Sequence, residues 1–164
     1  MALQNNQDLF HFDLSVLLST ERQLEQILGQ MAQEVDDQQL KQAFQTHQQQ
    51  TQQQAQRVQQ CFQDLGQQPL NATDQTVAGI KTQHDNFLQY HSPSKDCLTL
   101  FNATSALIAE QYEIAKYQSI IQFANSMNHE RIAGVLQQNL QEEQQTAQTL
   151  QSIIQRLSRQ PAMR

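Results

Sequence analysis

Three glutamates fall where a helical protein is expected to be apolar. Read at helical spacing, Glu21, Glu110 and Glu143 each sit in the middle of a stripe otherwise built of Leu, Ile, Phe and Ala, and Glu113 stands one turn after Glu110. Taking an ionised carboxylate out of water costs on the order of several kcal/mol unless a cation or a full set of hydrogen bonds meets it. Three helices that each place one at mid-length therefore predict a shared cation. The remaining long helix has no acid in the matching stretch and offers His47, Gln50, Thr51 and Gln54 instead. A di-metal carboxylate site in a bundle takes one Glu from each of two helices and a Glu-x-x-His from each of the other two. Here the candidate metal ligands are Glu21, His47, Gln50, Glu110, Glu113 and Glu143. Four carboxylates would balance two divalent ions, and oxygen donors with at most one imidazole favour iron or manganese over thiophilic metals. Spacing alone leaves zinc open, and it singles out no catalytic residue.

Each of these residues also has a structural explanation. His47 could be a core histidine bonded to a neighbour, and Glu113, which flanks the stripe, could be a solvated partner of Lys116. Tyr112 and Tyr117 fall near the polar level, where packing or hydrogen bonding is the expected role. His11, His84, His91 and His129 fall outside it and are expected to face water.

Four long helices must position the acids. The first is expected at about 7–34, with Phe10, Leu14, Leu17, Glu21, Leu24, Leu28 and Met31 on its stripe. The second is expected at about 37–65, with Leu40, Phe44, His47, Thr51, Gln54, Val58, Cys61 and Leu65, capped by Asp36 or Asp37 and ended by Gly66 and Pro69. The third runs over about 95–125 behind a Ser94 cap, with Ala103, Leu107, Glu110, Ile114, Tyr117, Ile121 and Ala124 in line. The fourth covers about 128–157, with Ala133, Leu136, Leu140, Glu143, Ala147, Leu150, Ile154 and Leu157. Short connections make the first and second, and the third and fourth, antiparallel hairpins. Residues 66–94 are long enough to cross the bundle, and Val77, Ile80, His84, Phe87 and Leu88 give that segment a short helix of its own. Two hairpins joined by one long crossover is the ferritin-like connectivity, so the expected fold is an all-α ferritin-like four-helix bundle with a short fifth helix.

Composition agrees. The chain has 164 residues with 38% hydrophobic content, enough for one core, and is expected to be a single domain over 1–164, with its core at about 7–157 and a tail at 158–164. Glycine and proline number only 4 and 3, which leaves few turns for strands. A net charge of −6 and scattered Lys and Arg argue against a nucleic-acid partner. No apolar run approaches the roughly 20 residues of a membrane span, and the start MALQNNQDLF lacks signal-peptide regions, so no membrane partner and a cytoplasmic location are expected. Cys61, on an apolar stripe, and Cys97 are expected to be reduced.

Four stretches carry a resemblance. Thr20-Glu21-Arg22-Gln23-Leu24, His47 through Thr51 with Arg57, Ala109-Glu110-Gln111-Tyr112-Glu113-Ile114-Ala115-Lys116-Tyr117, and Leu140-Gln141-Glu142-Glu143 together resemble the helix signatures of the YciE/YciF-type ferritin-like stress proteins. The Glu-x-Tyr-Glu-Ile-Ala portion is the most specific of them. The resemblance spans residues 9–157 and implies a homodimer, a role in bacterial stress responses and a di-metal centre whose reaction is not established. It also implies an acid where this chain has Gln50, at times a histidine near Gln54, and an acid near Ala147. Their absence leaves a dinuclear, a mononuclear and a vestigial site open. The reading from another class is a non-catalytic helical dimer or partner-binding protein with a metal-free polar layer. Leu18, Ile27, Phe62 and Ile120, apolar but off the stripes, would be its candidate interface.

Overall fold

The computed structural model describes residues 3–159. Of the tail expected at 158–164, residues 160–164 lie outside the described residues. Among the described residues there are five helices and no strand: α1 (Asn6–Glu34), α2 (Gln38–Asp64), α3 (Gln75–His91), α4 (Lys95–Ser126) and α5 (Glu130–Leu157). The bounds follow local chemistry. Side chains of Asn5, Asp37, Asp74 and Ser94 accept backbone N–H groups at the starts of α1, α2, α3 and α4, satisfying donors that a helix start otherwise leaves orphaned. Gly66, at a φ of 66°, takes the left-handed step that ends α2. Asn128, at a φ of 60°, turns α4 into α5, a conformation asparagine tolerates better than most residues.

α1 with α2, and α4 with α5, form closely packed antiparallel hairpins; the α2/α5 and α1/α4 seams between the hairpins are wider. The crossover lays α3 against α1 and α4, covering the second of these seams, while α2/α5 has no such cover among the described residues. This is the expected ferritin-like bundle.

The core comes in two lobes. One gathers Phe10, Leu14, Leu17, Leu18, Val58, Phe62, Tyr117, Ile120 and Leu136; the other gathers Leu24, Ile27, Leu28, Met31, Leu40, Phe44, Val77, Ala103 and Leu150. On each long helix the break between lobes falls at the polar residues: Glu21 lies between Leu17 and Leu24, and His47, Thr51 and Gln54 lie between Phe44 and Val58. The lobes fix the helices on either side of a polar layer, and burial at about 25 cal/mol per Å² of apolar surface holds that layer shut.

Two expectations are corrected here. Leu18, Ile27, Phe62 and Ile120 are buried within the bundle and form no exposed surface, because each helix touches at least two neighbours, α1 and α4 three, and buries a face wider than a narrow stripe. His84 does not face water. It is 1% exposed, and its Nε2 lies 2.8 Å from Glu34 Oε2, an oxygen that also accepts from Asn102 Nδ2 at 2.9 Å. The crossover that carries His84 lies across α1 and α4 and buries it there. His11 and His129 are half-buried, the first against the Gln68 carbonyl and the second stacked on Phe10; His91 is exposed.

Candidate metal centre

The polar layer draws on all four long helices. Glu21 of α1, His47, Thr51 and Gln54 of α2, Glu110 and Glu113 of α4, and Asn139 and Glu143 of α5 are all at most 2% exposed. The sequence placed acids there because the stripes run through them. What it could not place was their distance from one another.

His47, Glu110, Glu113 and Glu143 each present one ligating atom such that all four atoms lie within 4.8 Å of one another. His47 Nε2 is 2.8 Å from Glu110 Oε1 and 3.8 Å from Glu143 Oε2, yet the nitrogen has no aligned hydrogen-bond partner. Both oxygens of Glu113, both of Glu143 and Oε2 of Glu110 are likewise buried and unpaired. Buried polar atoms are nearly always paired, so a convergent group of orphans marks a place shaped for something else. Three carboxylates and one imidazole nitrogen suit a hard or borderline cation, and the group is arranged so that it can hold one.

Burial decides the charge state of the metal-free cluster. It raises the Glu110 carboxyl to about 8, with Glu143 as a lowering influence and the Glu21 charge as a further raising one. Glu113 and Glu143 are pushed well above the usual carboxylate range, first by burial and then by the neighbouring acids. Without a cation, burial favours the protonated form of these carboxyls.

Glu21 stands beside this group rather than in it. Burial and the Glu143 charge raise its carboxyl, while Tyr117 donates its phenolic proton to Glu21 Oε1, and Oε2 is unpaired. Asn139 Nδ2 donates to the same phenol oxygen at 2.9 Å, so Tyr117 is held between α1 and α5. Gln50 is only half-buried; the amide that α2 buries fully is Gln54, one turn further along. Glu113 is no solvated partner of Lys116, whose ammonium instead lies 3.0 Å from Asp74 Oδ2.

Asp74 is the residue that sequence reasoning missed. It starts α3 and reaches the same level from the crossover, accepting from Thr20 Oγ1 at 2.5 Å, the Tyr112 phenol at 2.8 Å and Lys116 Nζ. Burial raises its carboxyl, and the hydrogen bonds from Thr20, Lys116, Tyr112 and Val77 more than offset this, leaving it below the ordinary value. Thr20 precedes Glu21, and Tyr112 and Lys116 flank Glu113, so one buried aspartate ties down the backbone next to two site acids. The N-terminal position before α3 was a readable signal for a cap; its side-chain partners were not.

A four-helix bundle whose middle carries a buried carboxylate and histidine cluster defines a class of proteins. A family described as a domain of unknown function, DUF892, matches residues 5–163, and the chain belongs to it. It is similar to Protein YciF of Escherichia coli (strain K12), with 24% identity over 146 residues, 89% of this chain and 88% of that protein. The crystal structure of the E. coli stress protein YciF superposes with a TM-score of 0.91 at 22% identity, covering 97% of this chain and 100% of that one. YcfI from Rhodopseudomonas palustris superposes with a TM-score of 0.86 at 28% identity, over 91% of this chain and 94% of that one.

Proposed function

We propose that the protein is a ferritin-like stress-response protein that holds iron or manganese at the centre of its bundle. The observation that carries this is the convergence of four ligating atoms, within 4.8 Å of one another, in a buried layer where both oxygens of Glu113 and both of Glu143 have no hydrogen-bond donor. Its similarity to a protein described as a stress protein supports the physiological half of the reading. His47, Glu110, Glu113 and Glu143 would be the ligands, and Glu21, with an unpaired oxygen close enough for its charge to be felt by Glu110 and Glu113, would complete four carboxylates for up to two divalent ions. Iron or manganese held there would supply redox chemistry toward dioxygen or peroxide.

The chain's own residues do the rest. The two aliphatic lobes keep bulk water from the layer, and the Tyr117 phenol keeps one Glu21 oxygen oriented and partly neutralised. Asp74 holds the α1 and α4 backbones on either side of the crossover. A homodimeric assembly and a cytoplasmic setting belong to the same proposal. Metal titration of untagged protein tests it: iron(II) or manganese(II) should bind at one to two equivalents and raise the unfolding temperature, and Glu143→Ala should abolish both effects. Wild-type protein that binds neither ion would reverse the reading in favour of a metal-free helical dimer.

A further inference from the structure

Every ligand is sealed, so a cation needs a way in. The hairpin seams are tightly packed, and the wide α1/α4 seam is closed by the crossover, with Asp74 and Lys116 plugged into it. The wide seam that no element covers among the described residues is α2/α5, and its middle is polar. There Arg57 of α2 grips Glu142 of α5 with two hydrogen bonds, 2.8 Å from Nη1 and 2.6 Å from Nη2. This pair is about one-fifth exposed on both sides, so water reaches it. Directly inside it Gln54 donates Nε2 to Glu142 Oε2 at 3.1 Å, while its carbonyl Oε1 is buried and unpaired. Beyond lie Glu143, next in sequence to Glu142, and His47, whose Nδ1 is 3.5 Å from Thr146 Oγ1 across the same seam.

We infer that the Arg57–Glu142 pair is the gate through which divalent cations reach the buried cluster, with Glu142 as the first, transient ligand and Gln54 as the relay; this rests on the metal-site reading above. The chemistry is an exchange of partners. A hydrated dication and the Arg57 guanidinium compete for the Glu142 carboxylate, and displacement of Arg57 frees the α2 side of the seam. Gln54 has one end on Glu142 and an unused carbonyl oxygen, so it can present an oxygen to an ion leaving Glu142 for Glu143 and His47. No bond is made or broken beyond coordination and hydrogen bonds. Arg57 left in place opposes cations, so the closed pair also keeps the layer dry when no ion arrives.

Stopped-flow uptake of cobalt(II) by the intact metal-free protein, followed by its visible absorption, tests the gate separately from the site. Glu142→Gln keeps one acceptor oxygen for Arg57 in place of two and removes the carboxylate charge; with the first ligand for the cation gone, it should slow uptake about tenfold, the lower end of what local charge does to association rates. Arg57→Gln should speed uptake by a similar factor. Both variants should reach the wild-type spectrum and stoichiometry. Wild-type rates in both variants would overturn the gate while leaving the site standing, and an altered final spectrum in Glu142→Gln would overturn it by making Glu142 a resident ligand. If Arg57→Gln fails to fold, Arg57→Lys keeps the charge but loses the two-pronged grip, and should still load faster than wild type; an unchanged rate would count against the gate. No cobalt uptake by any form would bring down the metal site and the gate together.

Discussion

Protonation of the metal-free layer has a measurable consequence for stability. Burial raises the Glu110 carboxyl from 4.5 to about 8, and raises Glu21, Glu113 and Glu143 in the same direction. The unfolded chain releases these protons near the ordinary glutamate value, whereas the folded chain holds them. The folded state therefore binds more protons between the two values, and stability falls as pH rises. The stabilising contribution is complete below pH 4.5 and lost as pH climbs through about 8. At about 1.4 kcal/mol per unit, Glu110 alone would contribute a loss of about 5 kcal/mol across that window. A domain of this size has a total stability of roughly 5–15 kcal/mol, so the metal-free protein should be close to unfolding above pH 8, or should admit water to the layer. Urea denaturation of chelator-treated protein at pH 5, 6.5 and 8 measures the slope directly. Addition of iron(II) or manganese(II) under anaerobic conditions should reverse it, since a cation displaces protons and binds better as they become easier to lose. Metal-free stability that is flat or rises from pH 5 to 8 would refute the assignment of protonated, inward-facing acids.

Other outcomes follow from named contacts. Ligand at about a hundredfold over its dissociation constant adds about 2.7 kcal/mol, so metal should raise the melting temperature of the wild type by roughly 5–10 °C and that of Glu143→Ala not at all. Asp74→Ala uncaps α3 and strips partners from Thr20, Tyr112 and Lys116; it should cost about 2–4 kcal/mol in urea denaturation, and a loss below about 0.5 kcal/mol would contradict the role given to that residue. Cys97 is exposed, whereas the Cys61 thiol is buried and pushed up to about 12 by burial and then by the Asp64 charge. A thiol reagent at pH 8 should accordingly label one cysteine in the native protein and both in urea, and rapid native labelling of Cys61 would contradict its burial.

The bundle was readable because its signals are local. Apolar stripes, the Asp37 and Ser94 caps and the Gly66 stop each act within a few residues, and the expected ranges differ from α1, α2, α4 and α5 by only a residue or two. Glu21, Glu110 and Glu143 were readable as interior acids for the same reason, since each interrupts its own helix's stripe. What depended on a second element was not. Glu113 looked ambiguous beside Lys116 because only the crossover, through Asp74, takes that lysine away. Asn139 was passed over because Leu140 fits the stripe, yet α5 buries both where it meets α2 and α4. Near the end of α5 the structure buries Ile153 and leaves Ile154 half-buried, as the true helical repeat drifts from a seven-residue stripe. His84 and the Arg57–Glu142 pair belong to contacts between segments far apart in sequence, which a stripe cannot report.

Elemental analysis of untagged protein, purified without chelators from cells grown with iron and manganese, is the most direct check on the centre of the bundle. One to two equivalents of iron or manganese per chain, lost in Glu143→Ala, are the expected result. Wild-type protein that emerges folded, free of metal and unable to take any up would contradict it.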